Sequence, residues 1–158
     1  MPNSNAILDT LQRVKVLAKR YRDLTGKPLG VTGEVAEFEA ARILGLTLAP
    51  ARQAGYDATE MTLDGSVKRL QIKGRALPRK YGSGQRIGSI DIRQSDWDTV
   101  LLVLIDNDDL EVFEIWEAPR EKIEEEIGRP GSKARNIRHA LAMANFKRAG
   151  RLRWPVGS

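Results

Sequence analysis

Cysteine is absent from this 158-residue sequence, and histidine occurs once, at position 139. The first absence removes disulfides, thiolate nucleophiles and cysteine metal sites, and the second argues against zinc chemistry and serine–histidine triads. Any metal should then be a hard, oxygen-loving ion. No apolar run approaches the roughly 20 residues of a bilayer span, so no membrane association is expected. The opening MPNSNAILDTLQRV lacks a basic start followed by a continuous apolar stretch, so no secretory signal is visible and a cytoplasmic protein is expected. Repeats and low-complexity tails are missing as well. The expectation is one domain over residues 1–158, long enough for a single core.

What is present is ordinary globular composition with a basic balance: 41% hydrophobic, 30% charged, net charge +5 and a pI of about 9.7. That level of charge, if clustered, suits a polyanionic partner. Apolar residues recur at helical spacing from Ile7 to Leu24 (Ile7, Leu8, Leu11, Val14, Leu17, Ala18, Tyr21, Leu24), and TGKP stops them, giving an N-terminal helix within residues 1–26. A second helix is expected from Thr32, as N-cap, through GEVAEFEAARIL to Gly45, with Val35, Phe38, Ala41 and Leu44 on its apolar face. Strands Tyr56 to Thr62 and Val67 to Gly74 flank an Asp64-Gly65 turn signal. Ala76 to Gly88, rich in glycine and cations, reads as a loop. TVLLVLID has the pattern of a buried central strand, and NDD turns it into LEVFEIWE. Pro119 suits the first turn of a short helix closed by Gly128. Ser132 is placed to cap a basic C-terminal helix over 132–150. The order α, α, β, β, loop, β, β, α, α implies a sheet flanked by helices.

The register of the first hairpin decides which side chains share a face. A two-residue Asp64-Gly65 loop would set Asp57 opposite Ile72 and strand a carboxylate among apolar groups. A three-residue loop, Leu63-Asp64-Gly65 with Gly65 left-handed, pairs Tyr56 with Ile72, Ala58 with Leu70, and Asp57 with Gln71. Lys73 then follows Gln71 on the same polar face. An acid and an amide carbonyl about 5 Å apart across two strands can share one Mg²⁺, and a neighbouring ammonium can offset charge on a phosphate. These are the minimal parts for metal-assisted phosphodiester hydrolysis. The plain alternative is a hairpin with one solvated polar face.

The acid, the hairpin and Gln-Ile-Lys, following a helix that carries GEVAE, resemble the PD-(D/E)xK nuclease superfamily, which includes type II restriction enzymes, archaeal Holliday-junction resolvases and Mrr-like restriction nucleases. The resemblance covers Gly33 to Leu104. It implies an α/β fold with a restriction-endonuclease-like core, a central mixed β-sheet flanked by helices. It also implies a metal-dependent DNA endonuclease with Asp57 as metal-binding aspartate, Lys73 as the lysine that orients or activates water, and Gln71 where Asp or Glu is commoner, similar to the Mrr-like variant. The ion implied is Mg²⁺, with Mn²⁺ as substitute, held by Asp57, Gln71, the Ile72 carbonyl and a helix glutamate. Glu37 ranks ahead of Glu34 for that last role, since acids in a first helical turn are also explained by the macrodipole.

With DNA as partner, the cations of the loop (Arg79, Lys80, Arg86), Arg75 beside the motif, and Lys133, Arg135 and Arg138 of the C-terminal segment become backbone-contact candidates. Lys147, Arg148, Arg151 and Arg153 continue that basic segment around an apolar stripe of Ile137, Leu141 and Phe146. Asp91, Asp96 and Asp98 surround the next strand within reach of the site, and turns and caps explain them as well; His139 is given no role, and the dispersed Trp97, Trp116 and Trp154 are assigned to core or interface. One site cuts one strand, so double-strand cleavage would call for a homodimer, with the first helix as candidate surface. The rival expectation is a catalytically inactive domain of the same fold that binds nucleic acid or a partner protein.

Overall fold

The run Thr99–Asp106 (β5) is apolar at every position from Val100 to Ile105, and each of those residues is fully buried. A strand of that kind needs cover on both faces. In the computed structural model, which describes residues 3–50, 55–82, 84–93 and 96–157, β5 lies in the interior of a six-stranded mixed sheet. Ser83 of the expected loop, and Met1, Pro2 and Ser158 of the domain, lie outside the described residues.

The chain enters through α1 (Ser4–Thr25) and α2 (Thr32–Leu44), then forms an antiparallel meander of β1 (Thr47–Leu48), β2 (Ala58–Met61) and β3 (Val67–Leu77). β5 pairs with β3 in parallel, which requires a crossover; the intervening chain carries a short strand, β4 (Arg86–Ser89), outside the main sheet. β6 (Val112–Pro119) returns antiparallel to β5, and α3 (Arg120–Gly128) and α4 (Lys133–Asn136) follow. β7 (Ala140–Ala142) joins β4 in a separate two-stranded ribbon; α5 (Met143–Ala149) leads into β8 (Arg151–Trp154), which closes the main sheet beside β6. The main sheet runs β1-β2-β3-β5-β6-β8.

Two cores sit on its two faces. One packs Ala18 of α1 and Val35, Ala36 and Ala40 of α2 against Ala58, Leu70, Ile72, Leu101, Val103 and Ile105. The other packs Ile123 and Ile127 of α3 and Phe146 of α5 against Leu77, Val100, Leu102 and Leu104. The chain is thus mixed α/β with a central mixed sheet flanked by helices.

Several expectations are corrected. Thr32 opens α2 as its first residue; Val31 occupies the cap position and supplies no side-chain bond. The buried face of α2 is Val35, Ala36, Glu39 and Ala40, one step around from the apolar one, because Gly74 lets the helix approach β3 along its small residues: a Cβ at Gly74 would lie 2.6 Å from the Ala36 Cβ. In α1 the second half turns its apolar residues outward, with Leu17 59% and Leu24 75% exposed, while Lys15 is buried on an ion pair with Glu39 at 2.9 Å. Pro119 is the N-cap of α3 and not its first helical residue. The expected loop is strand at both ends, since β3 runs on to Leu77 and β4 begins at Arg86.

The basic C-terminal helix over 132–150 does not form as one piece. Ser132 does cap a helix, accepting from the Arg135 N–H at 3.3 Å, but that helix stops at Asn136. His139 then takes a left-handed backbone with φ 55°, and β7 pairs with β4 through ribbon bonds from Ile90 N–H to the His139 carbonyl (3.1 Å) and from Met143 N–H to the Gln85 carbonyl (2.8 Å). Sheet pairing across the molecule overrides the local helical spacing, buries Leu141 and Phe146, and leaves Ile137 71% exposed.

Candidate active site

The hairpin tip is built by three neighbouring polar residues. Asp64 Oδ1 accepts from Ser66 N–H (2.9 Å) and Ser66 Oγ (2.7 Å), and also bonds the Thr62 hydroxyl. The Thr62 bond first, and then those from Ser66, hold the Asp64 carboxyl down to about 2. Gly65 sits at φ 86°, which only glycine adopts without strain, and Thr62 N–H donates to the Ser66 carbonyl at 2.8 Å. The loop is therefore Leu63-Asp64-Gly65, and the pairs run Met61 with Val67, Glu60 with Lys68, Thr59 with Arg69 and Ala58 with Leu70. Continued by one residue, this register sets Asp57 against Gln71.

At that point β2 ends, and the Asp57 side chain takes over a backbone role. Its N–H donates to the Leu70 carbonyl (2.8 Å) and its Oδ2 accepts from the Ile72 N–H at 2.7 Å. The carboxylate is fixed by the strand it faces, and the Ile72 carbonyl points to the same strand edge as its N–H. Glu37 approaches from α2, which the bare Cα of Gly74 holds against β3. Burial first, and then the charges of Asp57 and Glu34, push the Glu37 carboxyl above its ordinary value. The two carboxylates are close enough to repel.

Gln71 and Lys73 alternate with the buried Leu70 and Ile72, so they point to the opposite face of β3, toward the β4–β7 ribbon. They line a cleft of about 450 Å³ together with Ser89, Ile90, Asp91, Arg93, Ile137, Arg138 and His139. Gln71 Oε1 is buried and has no hydrogen-bond partner. An orphaned buried acceptor is uncommon and asks for a donor or a cation. Lys73, half-buried, has no ion-pair or hydrogen-bond partner among the described residues.

The remaining basic candidates divide. Arg79 is held by Asp106 at 2.9 Å and lies over the Phe113 ring, Arg86 donates to the Ala140 carbonyl at 3.0 Å, and Arg135 donates to the carbonyls of Arg129 and Pro130 at 2.7 and 2.8 Å. These three stitch the chain to itself. Lys147 is enclosed by the Tyr81 and Trp116 rings and pairs with Glu114; Arg148 pairs with Glu126, and Arg153 with Glu60 and Glu117. Arg75, Lys80, Lys133 and Arg138 carry no such bond among the described residues, and of these only Arg138 lines the cleft. The sequence reading missed His139 and Arg93 as cleft residues. The left-handed turn at His139 that turns the chain into the ribbon is set by a tertiary pairing that no local pattern signals.

Among the described residues no set of three or more His, Cys, Asp or Glu side chains is grouped to hold a metal ion. The candidate oxygens are two carboxylates, one amide oxygen and a backbone carbonyl; Gln71 faces the cleft, whereas Asp57 and Glu37 do not line it and Glu37 belongs to α2 on the other face of β3. These hard oxygens fit Mg²⁺ or Mn²⁺ by their chemistry and by the orphaned Gln71 Oε1; the Glu37 carboxyl is raised first by burial and only then by the charges of Asp57 and Glu34. No protein-family model matches the chain, and no curated protein matches it. Among the described residues no helix is long and apolar enough to cross a membrane.

Proposed function

We propose that this protein is a metal-dependent DNA endonuclease with a restriction-endonuclease-like fold. The observation that carries the reading is the buried, unpartnered Gln71 oxygen, one residue beyond the Ala58–Leu70 pair whose register sets Asp57 against Gln71, with Lys73, which has no partner among the described residues, two residues further on the same face. A structural role would have left those groups paired.

Asp57, Glu37, Gln71 and the Ile72 carbonyl would hold Mg²⁺, which supplies Lewis acidity toward a phosphoryl oxygen and a bound water. The Ile72 N–H holds the Asp57 carboxylate in place. Lys73 faces the cleft with its ammonium uncommitted, so it can orient water toward the phosphorus and offset the charge that grows on the phosphoryl oxygens. Arg138 holds the nucleic-acid backbone at the cleft wall.

The test is incubation of wild type and Asp57→Ala with supercoiled, linear and branched DNA in Mg²⁺, Mn²⁺ or EDTA. Metal-dependent cleavage by the wild type that disappears in the variant is the expected result. The second reading, a domain that grips nucleic acid or a partner protein without cutting, is favoured by one observation: among the described residues no three His, Cys, Asp or Glu side chains gather to hold a metal ion. It requires no cleavage from either protein, and no calorimetric heat of Mg²⁺ or Mn²⁺ binding that depends on Asp57.

A further inference from the structure

The cleft beside Gln71 and Lys73 is walled by parts of the chain that the proposed hydrolysis does not use. β4 and β7 form a ribbon detached from the main sheet, and the bond from Ile90 N–H to the His139 carbonyl at 3.1 Å closes it at the cleft. His139 holds φ 55° there, a left-handed conformation that a side chain with a Cβ adopts at a cost, and that persists only where the surrounding structure imposes it. Its ring is half-buried and lines the cleft next to Ile90, which is fully buried, and Ile137, 71% exposed. Arg138, exposed and without a partner among the described residues, stands beside them, and Lys73 faces them from β3. Arg93 is committed to Asp91 at 3.5 Å.

The cleft therefore combines two uncommitted cations with a flat ring and an exposed aliphatic side chain. That is the chemistry of a single-stranded nucleic-acid subsite, in which cations track the backbone and the π-face of an unpaired base stacks on an aromatic side chain. Its volume of about 450 Å³ is that of a small-molecule pocket, enough for one nucleotide. A flexible apolar side chain such as Ile137, left at 71% exposure at the rim, gives the second face of a sandwich around a base.

We propose that this cleft takes one unpaired nucleotide of a DNA strand next to the scissile phosphate, with its phosphate on Arg138 and Lys73 and its base between His139 and Ile137. The proposal rests on the nuclease reading for the word scissile, but the binding it describes does not need metal or turnover. It makes the preferred substrate a strand that is single at the site, as in an overhang, a flap or a frayed end, and not an intact duplex.

The experiment is binding in EDTA, by fluorescence anisotropy, of a single-stranded oligonucleotide and the blunt duplex of the same sequence, to wild type, Arg138→Ala and His139→Asn. Asparagine tolerates the left-handed backbone, so that variant removes the ring without straining the turn. The expected result is that wild type prefers the single strand by about tenfold or more, and that each variant loses most of that preference. An oligonucleotide carrying 2-aminopurine should also be quenched by wild type and not by His139→Asn. Equal or tighter binding of the blunt duplex, or a preference unchanged in both variants, overturns the subsite. If the preference holds and no protein cleaves DNA, the nuclease reading fails and the subsite stands; cleavage with no strand preference removes the subsite alone.

Discussion

The two faces of the β2–β3 hairpin treat charge in opposite ways. On the face shared with α1 and α2, two residues along from the buried Ala58 and Leu70, Glu60 and Lys68 are 3.0 Å apart, Lys68 reaches Glu117 at 2.6 Å, and Arg153 bridges Glu60 at 2.7 Å and Glu117 at 3.1 Å. Nearby, Lys15 is shared between Glu39 and Glu111, and Arg42 closes on Glu39 at 2.7 Å. Each of these cations meets a carboxylate. On the other face Gln71 Oε1, Lys73 and Arg138 face one cleft with no partner among the described residues. Paired burial of charge holds the structure together, because an unpaired partner would be costly to leave in low dielectric. Polar groups left open at a cleft are completed by something that binds.

The sharpest way to break that comparison is to exchange the readouts. Lys73→Met should lower cleavage by about 100-fold or more while leaving the urea midpoint of unfolding nearly unchanged, since no internal bond is lost. Glu39→Ala should do the reverse: it takes from Lys15, which is 4% exposed, its buried partner and leaves it the half-exposed Glu111 alone, and should cost about 2 kcal/mol or more of unfolding free energy with cleavage per folded molecule retained. If Lys73→Met unfolds the protein or Glu39→Ala abolishes cleavage in the folded fraction, the division between the two faces is wrong.

A smaller effect should couple the faces. Gly74→Ala places a methyl 2.6 Å from the Ala36 Cβ and 3.1 Å from the Thr32 carbonyl, so α2 must move off β3. The expected cost is about 1–3 kcal/mol from overpacking, accompanied by weaker Mg²⁺ binding because Glu37 travels with the helix. Thermal unfolding with and without Mg²⁺ checks both parts at once, since a bound ion raises the transition only while the ligands remain assembled.

The pH dependence sharpens the contrast further. Burial raises the Glu39 and Glu60 carboxyls, but the hydrogen bonds from Lys15 and Arg42, and from Arg153 and Lys68, outweigh it and hold both below their ordinary value. Their stabilisation is full above the unfolded carboxyl pKa and is lost as pH falls through the lowered folded values. Glu37 carries the opposite sign: its folded carboxyl is raised, so its ionised form costs stability above the raised value and the cost vanishes in acid. Glu37→Gln should therefore be more stable than wild type at pH 7 and equal to it in acid, in chemical unfolding without metal. Glu39→Gln should lose stability at pH 7 and flatten the acid limb. A Glu37→Gln protein that is less stable at pH 7 would show that this carboxylate belongs with the paired network.

The smallest expected effect is at the surface. Arg151 is 72% exposed and 3.7 Å from Glu117, which keeps Lys68 and Arg153 as partners, and Arg151→Ala should change unfolding free energy by less than about 1 kcal/mol and leave DNA affinity unaltered. A large loss of DNA binding would return the C-terminal cations to the interface.

The central strand, the helix ends and the hairpin are readable from their residues. Val100 to Ile105 has the pattern of a strand covered on both faces, Gly26 and Gly45 end their helices in left-handed conformations, and the polar-against-apolar alternation of the hairpin selects the three-residue loop and its register. These are local properties, set by periodicity, by turn chemistry and by the cost of burying an unpaired charge. Residues 132–150 were not readable in that way. Their apolar spacing suits one helix, yet β4 and β7 pair across more than fifty residues of chain, and that pairing turns His139 left-handed and brings Arg138 opposite Lys73. The same holds for which cations stay open, since Arg79, Arg86 and Arg135 look no different in sequence from Arg138. The sequence by itself determined four of the strands, β2, β3, β5 and β6, the hairpin register and the residue types at the candidate site, and not β1, β4, β7 or β8. Only the tertiary structure decided which charges are paired and which line the cleft, because pairing depends on contacts between distant segments that local pattern does not encode.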